Sequence, residues 1–223
     1  MPIEREMLSE NPDAAYAFLT SQRGAILHEV GHYVGANLDG LARGHLIIRA
    51  DGSSGGFVPD GPSSDLISAD PRRWSLVAAS GVLAEYHFCG EARIGAARGD
   101  IEAYQRVFGL SCVDLVLDRW WREHLQRIAA HAHFIEVNFD RCVEFCRDNR
   151  FLITDYHVIP SCRLRSPRWR GVGERLDEVV WTYPIKERRR ALQEFRAATP
   201  AATAWCSRAP ERELAPPSKI FVP

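Results

Sequence analysis

The chain has 223 residues, of which 46% are hydrophobic and 26% are charged, and its formal net charge is −1. This size and composition predict one globular domain with a sizeable core, and the near-neutral charge excludes a general electrostatic attraction to nucleic acid or to an anionic membrane. No apolar run approaches the roughly 20 residues of a membrane span, and the charged N-terminus lacks the apolar segment of a secretory signal, so we expect a cytoplasmic protein.

The first elements along the chain are predicted to be helical, followed by a hairpin. Ala, Leu and Ile recur at helical spacing over residues 13–38, with a break near residues 21–24 and a stop at Asp39-Gly40. Residues 45–59 then place the turn sequence DGSSGG between two β-rich runs, which predicts a β-hairpin.

The remaining elements are predicted to be helices. Helical spacing covers residues 71–88, a further helix is expected to start with Asp100 as its N-cap, and residues 113–148 are long enough for two helices. Cys142 and Cys146 lie four residues apart in this last stretch. Because no second Cys or His pair has zinc-finger spacing, we expect them to be reduced thiols that pack in the core.

The first candidate site is the sequence His-Glu-Val-Gly-His, residues 28–32. Side chains at positions i and i+4 of a helix share one face, so His28 and His32 are predicted to bind one metal ion. Glu29 lies about 100° round the helix, where it can accept a proton from a water molecule whose pKa zinc lowers to about 7. Three fixed positions are a weak signal, but the apolar flanking residues favour a buried helix.

The third ligand of such a site has no local candidate. Leu38 stands where the metzincin pattern requires a histidine, and Asp39 is one residue too late, about 100° off the required face. Two distant carboxylates remain, Glu85 on the next predicted helix and Asp100 at the start of a later one. Residue spacing leaves both of them open.

Three segments carry a resemblance to a known family. The sequence SGVLAEYHFCGEARIGAARGDIEAY at 80–104 resembles the second signature of FtsH-type ATP-dependent zinc peptidases, and HEVGHYV at 28–34 resembles their His-Glu-Ala-Gly-His-Ala. Residues 47–65 are similar to the strand, Pro/Gly and strand region between the two signatures. Order and spacing agree over about residues 22–110. The chain departs from the second signature at four positions: Ser80, Tyr86, Ala97 and Gly99.

The resemblance implies both a fold and a set of site residues. It implies a mainly helical, α+β, zincin-like domain with a small β-hairpin or sheet beside the His-Glu-x-x-His helix. It implies that His28, His32 and Asp100 bind Zn²⁺ and that Glu29 is the general base. By the same resemblance, Glu85 would hold a ligand imidazole in its tautomer through a hydrogen bond.

The hairpin is the candidate substrate site. In zinc peptidases a substrate strand commonly lies antiparallel to an edge strand, and the resemblance implies that one hairpin strand has this role. The candidate contacts are Ile47, Ile48, Gly55, Gly56 and Phe57. The alternative is a hairpin with a structural role alone.

The expected activity is that of a zinc-dependent metalloendopeptidase. Members of the resembling family also carry a membrane anchor and an ATPase module, but this sequence contains no Gly-x-x-x-x-Gly-Lys-Ser/Thr motif. We therefore expect a stand-alone peptidase that hydrolyses flexible or unfolded protein segments without ATP, as a homo-oligomer or with a separate partner protein. The alternatives are a non-proteolytic zinc-binding regulatory module and a zinc hydrolase of a non-peptide substrate.

The predicted domain organisation follows from the position of the motifs. Residues 1–198 are expected to form one peptidase-like domain, with a site half at 22–110 and a helical half at 111–198. The proline-rich segment 199–223 is expected to be an extended or disordered tail.

Overall fold

The computed structural model describes residues 10–38, 40, 43–60, 70–93, 97–108, 119–148, 152–153 and 155–165. These residues contain six helices: α1 (Pro12–Leu19), α2 (Gln22–Leu38), α3 (Pro71–Cys89), α4 (Arg98–Phe108), α5 (Arg119–Ala130) and α6 (Ala132–Asp148). They also contain four strands, which are β1 (Gly44–Arg49), β2 (Gly55–Pro59), β3 (Leu152–Ile153) and β4 (Tyr156–Ile159), and a 3-10 turn at Ser161–Arg163. The protein is therefore mostly helical and of the α+β class, as the sequence predicts.

Most helix boundaries lie where the sequence signals predict them. Asn11 caps α1 and Asp70 caps α3, each by accepting a backbone N–H with its side chain, and a proline follows each cap. The α3 helix ends at Gly90, whose φ of 71° is the left-handed conformation that glycine adopts without strain. The predicted break near residues 21–24 corresponds to Thr20-Ser21, which separate α1 from α2, so Gln22, Arg23 and Gly24 already belong to α2. The long helical stretch divides between α5 and α6.

Helix α2 is the central element of the fold. Every residue from Gly24 to Leu38 is buried, because the helix packs against α3 on one side and against α6, β1 and β2 on others. Glycines in α2 allow the close contact with α3: a Cβ on Gly31 would lie 2.6 Å from the Ser80 carbonyl oxygen, and one on Gly35 would overlap the Ser80 hydroxyl. The two glycines therefore let α3 approach α2 closely.

The sheet extends beyond the predicted hairpin. Strands β1 and β2 form the hairpin, with Ile47 opposite Gly56, and β4 pairs with the other edge of β1. The two-residue strand β3 completes an antiparallel sheet of order β2-β1-β4-β3. The predicted helical half, 111–198, thus contributes two strands in addition to α5 and α6. Strands of two and four residues are too short for a periodic sequence signal.

One hydrophobic core joins the elements. A single cluster of buried side chains contains members of all six helices, of β1 and of β4. Because α6 and β4 pack on the same core as α2, the two predicted halves are not structurally independent. The predicted tail, 199–223, and the outer limits of the domain lie outside the described residues. Among those that are described, no helix combines the length and the apolar character that a membrane crossing requires.

Candidate metal centre

Three side chains converge beside α2. The Nε2 atoms of His28 and His32 lie 2.9 Å apart. Oδ2 of Asp100 lies 3.0 Å from the His28 Nε2 and 3.4 Å from the His32 Nε2. Both imidazoles are buried, whereas the Asp100 side chain is 30% exposed. This group of two nitrogens and one carboxylate oxygen could hold a metal ion.

The positions of the three residues follow from local structure and packing. His28 and His32 are one turn apart on α2, as the sequence predicts. Asp100 lies in the first turn of α4, with its N–H donating to the Ala97 carbonyl. It is therefore a helical residue and not the predicted N-cap, since α4 begins two residues earlier, at Arg98. A carboxylate is favoured in a first turn by the helix dipole.

The remaining imidazole nitrogens determine the tautomers. Nδ1 of His32 lies 2.8 Å from the Val77 carbonyl oxygen, which can only accept, so we assign the proton of the neutral ring to Nδ1. Nδ1 of His28 lies 3.1 Å from Oε1 of Glu85 and is assigned as a donor in the same way. Both Nε2 lone pairs therefore face each other and the Asp100 carboxylate. Three acceptors at such distances require a cation or a shared proton between them, so the residues fit a metal ion.

Electrostatics support the same conclusion. Burial lowers the pKa of His28, but hydrogen bonds with Asp100 and Glu85 outweigh burial and raise it well above its usual value. For His32, burial again lowers the pKa and attraction to Asp100 outweighs it. Burial would raise the pKa of Asp100, but the two imidazoles hold it far below its usual range. The cluster thus attracts positive charge, which a divalent cation supplies in full.

Glu29 lies beside this group with one free acceptor. The residue is only 5% exposed, and its Oε2 has no hydrogen-bond partner in the described part of the chain. Burial raises the pKa of this carboxyl, and the neighbouring imidazoles partly offset the rise. Strand β2 begins against it, since a Cβ on Gly55 would lie 2.7 Å from Cγ of Glu29. A buried carboxylate with an open lone pair and a raised pKa has the properties of a general base.

Glu85 lies on the other side of the His28 ring. Its carboxylate is fully buried and accepts from Nδ1 of His28, whereas Asp100 approaches Nε2. Of the two carboxylates that the sequence leaves open, Asp100 is the one that joins the Nε2 atoms. Burial raises the pKa of Glu85, but His28 and Arg93 outweigh burial and keep it below its usual value.

Arg93 is a residue of this region that no sequence pattern singles out. Its backbone N–H lies 2.7 Å from Oε2 of Glu85, and its guanidinium contacts Oε1 through Nε at 3.3 Å and Nη2 at 3.2 Å. The contact joins α3 to the segment that follows it, and it depends on how that segment folds back. Residue type and spacing carry no signal for it.

Gly81 allows α3 to pass directly over the two imidazoles. A Cβ at this position would lie 2.7 Å from Nε2 of both His28 and His32. Gly81 is among the positions that carry the family resemblance, and the contact gives a physical reason for a residue without a side chain there.

The candidate substrate residues divide into two groups. Gly55, Gly56 and Phe57 lie on β2, at one edge of the sheet, and are partly buried. Ile47 and Ile48 lie on β1, are fully buried, and belong to a strand paired on both edges. The two isoleucines cannot contact a substrate in this arrangement, which corrects the expectation for them. Side-chain alternation cannot show which strand of a hairpin becomes the inner one.

Comparison with known proteins adds no relative. The chain matches none of the known protein families, no curated protein and no solved structure. The resemblance to FtsH-type peptidases therefore rests on the sequence motifs alone, and family membership stays a prediction.

Proposed function

We propose that this protein is a zinc-dependent endopeptidase that cleaves flexible or unfolded protein segments without ATP. One observation carries the proposal: Oε2 of Glu29, which has no hydrogen-bond partner among the described residues, lies beside the group formed by His28, His32 and Asp100. A metal site with a structural role alone has no need of a buried carboxylate with an open lone pair next to it.

The donor set supports zinc. Two imidazoles and one carboxylate are three protein ligands, the number that catalytic zinc sites use when they keep one position for the reaction. His28, His32 and Asp100 would hold the ion. When bound, zinc polarises a scissile carbonyl and lowers the pKa of an attacking water.

The protein's own side chains would then orient the ligands and move the proton. Glu85 and the Val77 carbonyl keep the Nδ1 protons of the two histidines, so both Nε2 lone pairs stay directed at one point. Glu29 takes the proton of the attacking water on Oε2 and delivers it to the leaving amine. Burial raises the pKa of this carboxyl, which makes it a better proton acceptor than an exposed glutamate.

Strand β2 is the proposed docking site for the substrate backbone. Among the described strands β2 pairs only with β1, so its outer edge can accept one more antiparallel strand. Gly55 at the start of β2 lies against Glu29, so a peptide paired with this edge would pass the general base. Recognition through backbone hydrogen bonds requires an extended peptide, which is why flexible or unfolded segments are the proposed substrates.

The test combines metal analysis with the substitution Glu29→Gln. We expect purified protein to contain stoichiometric zinc and to cleave unfolded casein, with activity lost on chelation and restored by zinc. Glu29→Gln should keep the zinc and lose cleavage by about 100-fold or more. Glu102→Gln, on the exposed face of α4, is the matched control and should cleave as the unsubstituted protein does.

Two outcomes would contradict the proposal. Cleavage that survives Glu29→Gln with zinc in place would remove Glu29 from the mechanism. Stoichiometric zinc without cleavage of casein or of a library of unfolded peptides would instead favour the non-proteolytic regulatory module.

A further inference from the structure

Arg93 binds the carboxylate that supports the metal centre. Glu85 is fully buried, and both of its oxygens are engaged by Arg93: Oε2 by the backbone N–H and Oε1 by the guanidinium. Oε1 also accepts from Nδ1 of His28. Arg93, Glu85 and His28 thus form a continuous hydrogen-bonded chain that ends at a candidate ligand.

Backbone hydrogen bonds connect Arg93 to the helix that carries Asp100. The carbonyl oxygen of Arg93 accepts from the N–H of Ala97, and the carbonyl oxygen of Ala97 accepts from the N–H of Asp100. Arg93 therefore stands between the two sides of the centre, with its side chain toward His28 and its backbone toward the first turn of α4.

We propose that Arg93 is a positioning residue of the metal centre, whose side chain holds Glu85 and thereby fixes the ring of His28 for metal binding. The inference rests on the metal site of the proposed function, but not on peptide cleavage. Arg93 touches neither the candidate ligands' donor atoms nor Glu29 in any described hydrogen bond.

The chemistry of the contact favours arginine over lysine. A buried carboxylate needs a compensating positive charge, and Arg93 supplies it from a side chain that is 18% exposed. Two guanidinium nitrogens share Oε1 in a fixed plane, so they restrict the rotation of the carboxylate as a single ammonium group cannot. Metal sites lose affinity when such outer partners of a ligand histidine are removed.

A surface pair on the neighbouring helix offers the matched control. Arg98 contacts Glu102 on α4, but their side chains are 70% and 46% exposed. Exposed ion pairs of this kind contribute little to stability, so Arg98→Gln should not disturb the fold. The substitution removes the same charge as Arg93→Gln, but outside the metal centre.

The experiment measures zinc affinity by competition with a chromophoric chelator, in Arg93→Gln, Arg93→Lys and Arg98→Gln. Arg93→Gln should weaken zinc binding by about 10- to 100-fold. Arg93→Lys should recover part of this loss, because it keeps the positive charge beside Glu85, whereas both substitutions keep the backbone N–H. Arg98→Gln should bind as the unsubstituted protein does. The absorption spectrum of the Co²⁺-loaded protein should change in Arg93→Gln and stay constant in Arg98→Gln.

A double substitution tests whether Arg93 acts through Glu85. In a Glu85→Gln background, Arg93→Gln should weaken zinc binding much less than it does alone. Fully additive losses, or equal affinities in Arg93→Gln and Arg98→Gln, would overturn the proposal. Circular dichroism shows whether Arg93→Gln folds. If it does not, Arg93→Lys is compared with the unsubstituted protein instead. Equal zinc affinity and an equal Co²⁺ spectrum in Arg93→Lys would then overturn the proposal.

The outcome is separable from that of the proposed function. A protein that binds zinc, responds to Arg93→Gln and cleaves no peptide would contradict the peptidase proposal and leave the role of Arg93 intact. A protein that binds neither Zn²⁺ nor Co²⁺ would overturn both.

Discussion

Nε2 of His28 lies 3.0 Å from Oδ2 of Asp100, although 72 positions separate the two residues in the chain. Helices α3 and α4 produce this contact, because α3 packs on α2 and α4 packs on α3. The candidate metal centre therefore depends on three helices, only one of which carries the His-Glu-x-x-His motif.

The first prediction concerns the third ligand. Asp100→Ala should abolish stoichiometric zinc binding, because two imidazoles alone leave the ion with too few protein donors. Glu85→Gln should weaken binding by about 10- to 100-fold without abolishing it, since Glu85 contacts His28 on its Nδ1 side. Zinc titration of both variants checks this. If Glu85→Gln abolished zinc binding and Asp100→Ala only weakened it, Glu85 would be the third ligand.

The second prediction concerns Gly81. Gly81→Ala would bring a methyl group to 2.7 Å from both Nε2 atoms, so α3 or the imidazoles must shift. We expect a loss of stability of about 1–3 kcal/mol and a loss of zinc affinity. Gly99→Ala is the control, because a Cβ there meets no atom of the described residues within 4 Å, and the change should stabilise α4 by up to about 1 kcal/mol. Urea unfolding and zinc titration measure both variants, and normal zinc binding in Gly81→Ala would contradict the described packing.

The third prediction concerns the contact between β2 and the proposed general base. A Cβ at Gly55 would lie within 3.1 Å of three atoms of the Glu29 side chain, all of them in its flexible outer part. Gly55→Ala should therefore displace the carboxylate while leaving the backbone in place. Peptide cleavage should fall by up to about 100-fold, with zinc content and unfolding midpoint nearly unchanged. Unchanged cleavage would show either that Glu29 takes no part in the reaction or that β2 does not contact Glu29.

The fourth prediction concerns the thiols. Burial raises the pKa of Cys89 and Cys146 to about 12 and that of Cys142 well above its usual value. The thiolate is the reactive form, so iodoacetamide at pH 8 should modify the partly buried Cys162 before these three. Peptide mapping by mass spectrometry distinguishes the sites, and Cys112 and Cys206 lie outside the described residues.

The raised pKa values of these buried thiols also determine how the free energy of unfolding changes with pH. Thiols that stay protonated in the folded state contribute stability that is fully present below the unfolded thiol pKa, about 8.5, and that is lost as pH rises toward the folded pKa of about 12. The urea midpoint should therefore fall between pH 7.5 and pH 10. A smaller fall after Cys146→Ala would attribute part of the effect to that thiol.

Much of the local structure follows from signals that act over a few residues. Asn11-Pro12 and Asp70-Pro71 start helices, Gly90 ends one, and DGSSGG turns the hairpin, because caps and turns depend on neighbouring residues alone. Strands β3 and β4 lack such signals. Strand β4 pairs with the open edge of β1, and β3 pairs with β4, so both depend on the assembled sheet.

The residues of the metal centre likewise include some that local sequence signals place and others that only tertiary packing places. Helical spacing alone brings His28 and His32 to one face and sets Glu29 beside them, since one turn of helix has a constant geometry. Spacing could not choose between Glu85 and Asp100, nor between β1 and β2, nor find Arg93 at all. Each of these outcomes depends on tertiary contacts: which nitrogen of His28 each carboxylate approaches, which hairpin strand is paired on both edges, and which side chain contacts Glu85. Only the packing of α3, α4 and the sheet around α2 establishes those contacts.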